Sequence, residues 1–262
     1  MESQLDKEYE EYKAQGRIWG DIPKDRIRKL AFPRVEPRIV AEFLEMDDLT
    51  GMVSDILDSI GLCGAIPASY LAPIVSDKKL VGTAITLRSV PERKTVTKGV
   101  VDRDLMRMAI RDVYYLAEPG DVLVADFGGN LDVSNLGGQS TALAISRGLA
   151  GAVCNGAVRD VGQLRSLGHP IWSRGRTMKT GKFRQEGMEI NGPVTLYDVL
   201  VMPGDLIIAD DSGVCVVPAD SVETVLSKAK AKYSEEARAY DLITQSAPMS
   251  VLKEIYLRRY GS

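Results

Sequence analysis

Between residues 121 and 173 the chain alternates short apolar runs with stretches of helical spacing, and glycine or asparagine stands at most of the changeovers. Residues 121–127 (DVLVADF) read as a strand ending in Gly128-Gly129. Residues 140–148 read as a short helix, 150–154 as a buried strand, 161–167 as a second helix and 170–173 as a short strand. Helices and strands mixed at this pitch pack as layers of one α/β domain.

The flanks extend the pattern. Upstream, 39–60 carries helical spacing, with Asp47 and Asp48 near a helix start and a stop by Gly61, and 79–90 (KLVGTAITLRSV) reads as a strand. Residues 104–117 space Leu105, Met106, Ala109, Ile110 and Val113 as a helix that Glu118-Pro119-Gly120 ends. Downstream the chain turns β-rich, with strands expected at 194–201, 206–209 and 214–217, then a long helix over 219–243. The boundaries read as an extension at 1–37, one domain at 38–246 and a basic, amphipathic tail at 247–262. The extension is charged, helical early on and broken by Pro23, Pro33 and Pro37. It is expected to pack on the domain or on a neighbouring subunit and to carry no chemistry.

Composition narrows the function. At 45% hydrophobic and 26% charged, 262 residues can bury a substantial core. A net charge of -3 gives no global attraction for nucleic acid. No apolar run reaches the roughly 18 residues a membrane span needs. The polar start MESQLDKEYEEYKAQGR does not read as a secretory signal. Cys63, Cys154 and Cys215 are widely spaced and odd in number, which argues against a disulfide framework. All three sit among apolar or small neighbours and read as buried small hydrophobes, in keeping with a reducing cytoplasm. His169 is the only histidine. A Ser-His-Asp triad or a multi-histidine metal site therefore lacks parts, or depends on this one loop residue. Acid–base work falls to carboxylates, Lys, Tyr or metal-bound water.

Four turns could carry chemistry. Asn135-Leu136-Gly137-Gly138-Gln139-Ser140-Thr141 enters a helix, where free N–H groups and close-approach glycines suit a carboxylate or phosphate. It reads equally as a tight turn with a hydroxyl cap, and it matches neither a P-loop nor GxGxxG. Asn155-Gly156-Ala157-Val158-Arg159-Asp160 follows a strand. Its Arg and Asp, expected to point to different sides, could bind an oxo acid and a hard cation, or be a surface Arg beside a helix-capping Asp. Asp210-Asp211-Ser212-Gly213 reads as a turn, its carboxylates bonding backbone. The loop 174–184 holds Arg174, Arg176, Lys179, Lys182 and Arg184, either as a solvated surface or as a rim attracting a di- or tri-acid.

In order along the chain, LGGQSTALAISRGLAGAVCNGAVRDVGQLRSLGHPIWSRG, then INGPV, then VMPGDLIIADDSGVCVVP resemble the RraA-like family. The likeness points to its 4-hydroxy-4-methyl-2-oxoglutarate / 4-carboxy-4-hydroxy-2-oxoadipate aldolase branch, whose members also decarboxylate oxaloacetate. VSDILDSIGLCGAIP, LVGTAITLRSVP and PGDVLVADFGG are similar too, so the likeness runs from Met52 to Glu236. It implies an α/β fold, a swivelling β/β/α domain with a β core flanked by helices. It also implies homotrimers or hexamers with interface active sites, and a Mg²⁺ or Mn²⁺ cofactor.

By the same resemblance, Asp160 is the metal ligand and Arg159 contacts the oxo acid, with Gly137, Gly138, Gln139 and Ser140 binding its carboxylate. Glu236, or its neighbour Glu235, acts from the adjoining subunit. The implied activity is retro-aldol cleavage of a small 2-oxo acid, or loss of CO₂ from one, through an enolate of pyruvate. Two alternatives stay open. One is a non-catalytic regulatory ring that binds a protein partner, as the RNase E-inhibiting branch does, although that branch lacks the aspartate present here as Asp160. The other is a lyase for a different sugar or oxo acid, because Gly138 stands where the family's aldolases usually carry an acidic residue. Asp126, Asp132 and Gln139 are the candidates to replace that residue.

Overall fold

The computed structural model describes residues 3–104 and 107–260. In chain order the helices are α1 (Gln4–Ala14), α2 (Pro37–Leu44), α3 (Leu49–Ser59), α4 (Val96–Val101), α5 (Ile110–Leu116), α6 (Gly138–Ser146), α7 (Val161–Leu167), α8 (Val222–Thr244) and α9 (Met249–Tyr260). The strands are β1 (Ala65–Pro67), β2 (Ala72–Pro73), β3 (Leu80–Pro91), β4 (Asp121–Asp126), β5 (Ser134–Leu136), β6 (Gly151–Val158), β7 (Ile171–Arg176), β8 (Gln185–Ile190), β9 (Val194–Leu196), β10 (Val199–Val201), β11 (Leu206–Asp210) and β12 (Gly213–Val217).

The main sheet runs β1-β12-β11-β3-β4-β6-β7-β2, with β5 added on β6 and β8 on β3. β3, β4, β6 and β7 are mutually parallel, and β5 is parallel to β6. Strands buried on both faces are built mainly from apolar residues, and β6 is buried from Gly151 to Val158, its one polar member, Asn155, being hydrogen-bonded to Asp126 and the Thr195 carbonyl.

Successive residues divide between two cores, as a period of two requires. On β4, Leu123 and Ala125 join the core under α5, α6 and α7, whereas Val122 and Val124 join the core under the β9–β10 hairpin. On β11, Leu206 and Ile208 face α2, α3 and α8, while Ile207 and Ala209 face the hairpin side. The molecule is therefore a hairpin layer, a sheet layer and a helix layer. Each fully buried Leu, Ile or Val contributes about 1.5–3 kcal/mol to holding them together. Trp172, fully buried on β7, satisfies its one polar atom by donating from the indole N–H to the Asp210 carbonyl at 2.8 Å.

Residues 3–36 lie on the helix layer. Arg17 donates to the carbonyls of Tyr115, Leu116 and Ala117 at 2.9–3.1 Å and pairs with Glu118 at 2.7 Å. It thus closes the open C-terminal end of α5. The amides of Gly20 and Asp21 donate to Asp112 on α5, and Arg26 reaches Gly187 and Glu186 on β8. Among the described residues no helix is long and apolar enough to cross a membrane.

Several expectations need correction. The helix expected over 104–117 is α5 alone, because Ala109 sits at φ 58 and breaks the run; Leu105 and Met106 lie outside the described residues. The strand expected over 194–201 folds back at Tyr197, also at φ 58, into the β9–β10 hairpin. The basic loop at 174–184 begins inside β7. Cys63 is exposed, since it lies in the loop after α3; only Cys154 and Cys215 are buried. Asp210 plays its expected turn role toward Ser212, and also takes the amide and hydroxyl of Thr50 at the start of α3.

Candidate functional site

Two neighbouring parallel strands, β5 and β6, each run directly into a helix. β5 reaches α6 through Gly137, and β6 reaches α7 through Arg159 and Asp160. The amide of Arg159 donates to the Leu136 carbonyl at 3.0 Å, which locks the two exits side by side. Two helix N-termini therefore converge at one edge of the sheet, the place where partial positive charge and unpaired amides gather.

Asp160 takes the left-handed conformation (φ 56, ψ 37) at the start of α7. Its carboxylate makes no capping bond to its own helix. Oδ2 instead accepts from the Gly138 amide of α6 at 3.1 Å, and lies 3.5 Å from Nε of Arg159. The expectation that Arg159 and Asp160 point to different sides fails here, because the left-handed turn swings the carboxylate back over its neighbour. The glycines make room for this: a Cβ on Gly137 would lie 2.6 Å from Oδ2 of Asp160 and 2.9 Å from Cγ of Arg159.

The amides of the helix entry are distinguishable. The Ser140 hydroxyl takes the Gly137 amide at 2.9 Å, Asp160 takes that of Gly138, and Thr141 bonds back to the Gly137 carbonyl. The amides of Gln139 and Ser140 keep no partner among the described residues. Around them the Arg159 and Asp160 side chains are about two-fifths exposed. The site can thus offer two N–H donors, a guanidinium and a carboxylate to a small anion.

Asp160 also fits a hard divalent cation. Oδ1 takes no hydrogen bond among the described residues, and the exposed side chain leaves room for water. No cluster of three His, Cys, Asp or Glu side chains suited to a metal occurs among the described residues. A cation here would have one carboxylate from these residues and would need water or a ligand to complete its shell, a pattern that suits Mg²⁺ better than a caged ion.

Other candidates lie elsewhere. Glu236 is on α8, half-buried in a groove of about 760 Å³ that Asp55, Lys232, Arg238 and Glu254 also line. α8 packs on α3 and α2, whereas α6 and α7 pack on each other. Within one chain Glu236 thus belongs to a different part of the helix layer from Asp160. His169 is buried past the C-terminal end of α7, roughly 10 Å of helix from Asp160. Burial holds its pKa below the usual imidazole range. Asp132 pairs with Lys179, and Asp126 accepts from the Gly128 amide and from Asn155 Nδ2. Arg176 pairs in register with Val158, next to Arg159, so one basic residue of the loop borders the site.

Sequence reasoning missed Gln163. It lies three residues beyond Asp160, a spacing that puts both on one side of α7, and its side chain covers Gly138.

A layered α/β domain whose Arg-Asp pair closes on a glycine-lined helix entry defines a recognisable class. Residues 50–216 match the family model RraA-like (Aldolase/RraA), and the chain belongs to that family. A protein of Halalkalibacterium halodurans, provisionally named as a 4-hydroxy-4-methyl-2-oxoglutarate aldolase, is 34% identical over 187 residues, covering 71% of this chain and 80% of that protein. Protein DlpA of Legionella pneumophila is 30% identical over 204 residues, 78% of this chain; the chain spans only 32% of DlpA's length. The crystal structure of Streptomyces coelicolor RraAS2, described as an unusual member of the RNase ES inhibitor RraA family, superposes with a TM-score of 0.64 at 25% identity, over 79% of this chain and 99% of that one.

Proposed function

We propose that this protein is a divalent-metal-dependent lyase that cleaves small 2-oxo acids, by retro-aldol reaction on a 4-hydroxy-4-methyl-2-oxoglutarate-type substrate, by decarboxylation of oxaloacetate, or by both. The observation that carries the reading is the Asp160 carboxylate. It bonds Gly138 at 3.1 Å beside Arg159, yet keeps one oxygen free.

In this reading the free amides of Gln139 and Ser140 receive the substrate's C1 carboxylate, and Gly137 and Gly138 let Asp160, Arg159 and Gln163 close around that helix entry. Arg159 donates to the C2 oxo oxygen. When the C3–C4 bond breaks, its electron pair moves through C3 onto that oxygen, and the guanidinium meets charge where it develops. A divalent cation, Mg²⁺ or Mn²⁺, held by Asp160 would add Lewis-acid stabilisation of the same oxygen. Retro-aldol cleavage also requires the C4 hydroxyl to give up its proton. Glu236 of an adjoining protomer in a trimer or hexamer is the residue we assign near that proton. Arg176 draws anionic substrates toward the site.

The test is pyruvate release from 4-hydroxy-4-methyl-2-oxoglutarate and from oxaloacetate, with and without EDTA. The expected result is release that EDTA abolishes and Mg²⁺ or Mn²⁺ restores. Likeness to the RraAS2 structure supports a second reading, a regulatory ring that docks on a protein partner. No release from a panel of 2-oxo acids, whatever the metal, would favour that ring.

A further inference from the structure

Gly138 is covered by a side chain from another helix. A Cβ at position 138 would lie 1.8 Å from Oε1 of Gln163, 2.2 Å from its Cδ and 2.9 Å from its Cγ. The volume that a side chain at 138 would enter is therefore filled by a carboxamide reaching across from α7. Asp160 bonds the amide of the same glycine. Carboxylate and carboxamide thus flank Gly138 together, one helical turn apart on α7. Gln163 is exposed, and its carboxamide makes no hydrogen bond among the described residues. Of the three side chains that the sequence offers for this position, Asp126 and Asp132 are already engaged with Asn155 and Lys179, and Gln139 is exposed on the first turn of α6, whereas Gln163 is the one that lies over Gly138.

Building on the lyase reading above, we propose that Gln163 is a specificity-determining residue whose carboxamide binds a hydroxyl on the carbon chain of the 2-oxo acid. A ligand that reaches both Asp160 and the free amides of α6 passes this group. A carboxamide carries a donor and an acceptor, and the hydroxyl of the bound, uncleaved substrate satisfies both at once: it accepts from Nε2 and donates to Oε1 until cleavage passes its proton to the base. A second carboxylate, acceptor only, leaves Oε1 facing an anion. The site accordingly favours hydroxylated 2-oxo acids over plain dicarboxylic ones.

The measurement is kcat and KM for a 4-hydroxy-2-oxo acid and for oxaloacetate, in the parent, Gln163→Ala, Gln163→Leu, Gly138→Ala and the Gly138→Ala/Gln163→Ala pair. The ratio of the two kcat/KM values should fall about tenfold or more toward oxaloacetate in Gln163→Ala and Gln163→Leu alike, since the hydrogen bond and not the bulk is what discriminates. Gly138→Ala should reproduce the effect, because its methyl displaces only the flexible end of Gln163. The double variant should then be no worse than Gln163→Ala alone. A ratio that stays within about twofold of the parent's in both Gln163 variants overturns the proposal while leaving the lyase reading intact, and so do fully additive losses in the double variant. A parent that releases pyruvate from neither acid overturns both.

Discussion

Asp160 performs two tasks that substitution can separate. Its Oδ2 holds the first amide of α6, and in the proposed mechanism its free Oδ1 would hold the cation. Asp160→Asn keeps an oxygen for Gly138 and loses the charge. Pyruvate release should fall by about 100-fold or more while the melting temperature moves by only a few degrees. Asp160→Ala removes both tasks and should also lower stability. Kinetics beside thermal melting of the two variants make the check, and Asp160→Asn with full metal-dependent turnover would discard the assignment.

Asp112 makes a separate, pH-dependent prediction. Burial, with the neighbouring charge of Asp21, lifts its carboxyl to about 6, against opposing hydrogen bonds from Gly20 and Asp21. A raised folded-state value means the contribution is fullest below the unfolded value near 3.8 and is lost as pH rises through about 6. Asp112→Asn cannot titrate, so its stability relative to the parent should improve by about 2 kcal/mol between pH 4.5 and 7.5. Urea unfolding at both pH values reads this directly. Residues such as Arg159 and Asp160 were legible because a strand, a glycine turn and a helix frame them in sequence. Gln163 was not, because its place depends on the left-handed turn at Asp160 and on the packing of α6 against α7.

The candidate site is built on two strand–helix pairs laid in parallel, β5–α6 and β6–α7. Their convergence explains why a glycine is needed at 137 even though its φ of -153 suits any residue. Close approach of Asp160 is what excludes a side chain there. Gly137→Ala must push Asp160 or Arg159 aside, and should cut kcat/KM by about 10- to 100-fold with modest loss of stability, read by the same pyruvate assay.

Arg17 acts on an element far from this edge. Arg17→Ala leaves three carbonyls at the end of α5 without their donor and should cost about 1–3 kcal/mol, a fall of several degrees in melting temperature, with pyruvate release unaffected. The alternating core elements β4, α6, β6 and α7 could be read from apolar spacing and glycine punctuation. β8 could not, because Gln185–Ile190 mixes two glutamates, a glutamine and a glycine, and is held by pairing with β3 and not by its own composition. The hairpin of β9 and β10 was hidden for the opposite reason: its residues look like one strand until Tyr197 turns left-handed.

At the scale of the whole molecule, the proposed reading completes the site with a residue from a second protomer. Asp160 and Arg159 sit under α6 and α7, while Glu236 belongs to the α3–α8–α9 part of the helix layer. A head-to-tail ring joins two different surfaces of identical protomers, and so can bring one chain's Glu236 to the next chain's Asp160. Complementation tests this. Asp160→Ala and Glu236→Gln should each be nearly inactive as pure oligomers. Dissociated, mixed in equal amounts and reassembled, they form some interfaces in which an intact Asp160 faces an intact Glu236. For random assembly, that is about one quarter of the interfaces, so roughly a quarter of parental activity should return. Sites confined to single chains return none, because every protomer then carries one lesion or the other. Recovery after mixing would place Glu236 across the boundary, and its absence from demonstrably mixed oligomers would move the proton-handling group back inside the chain.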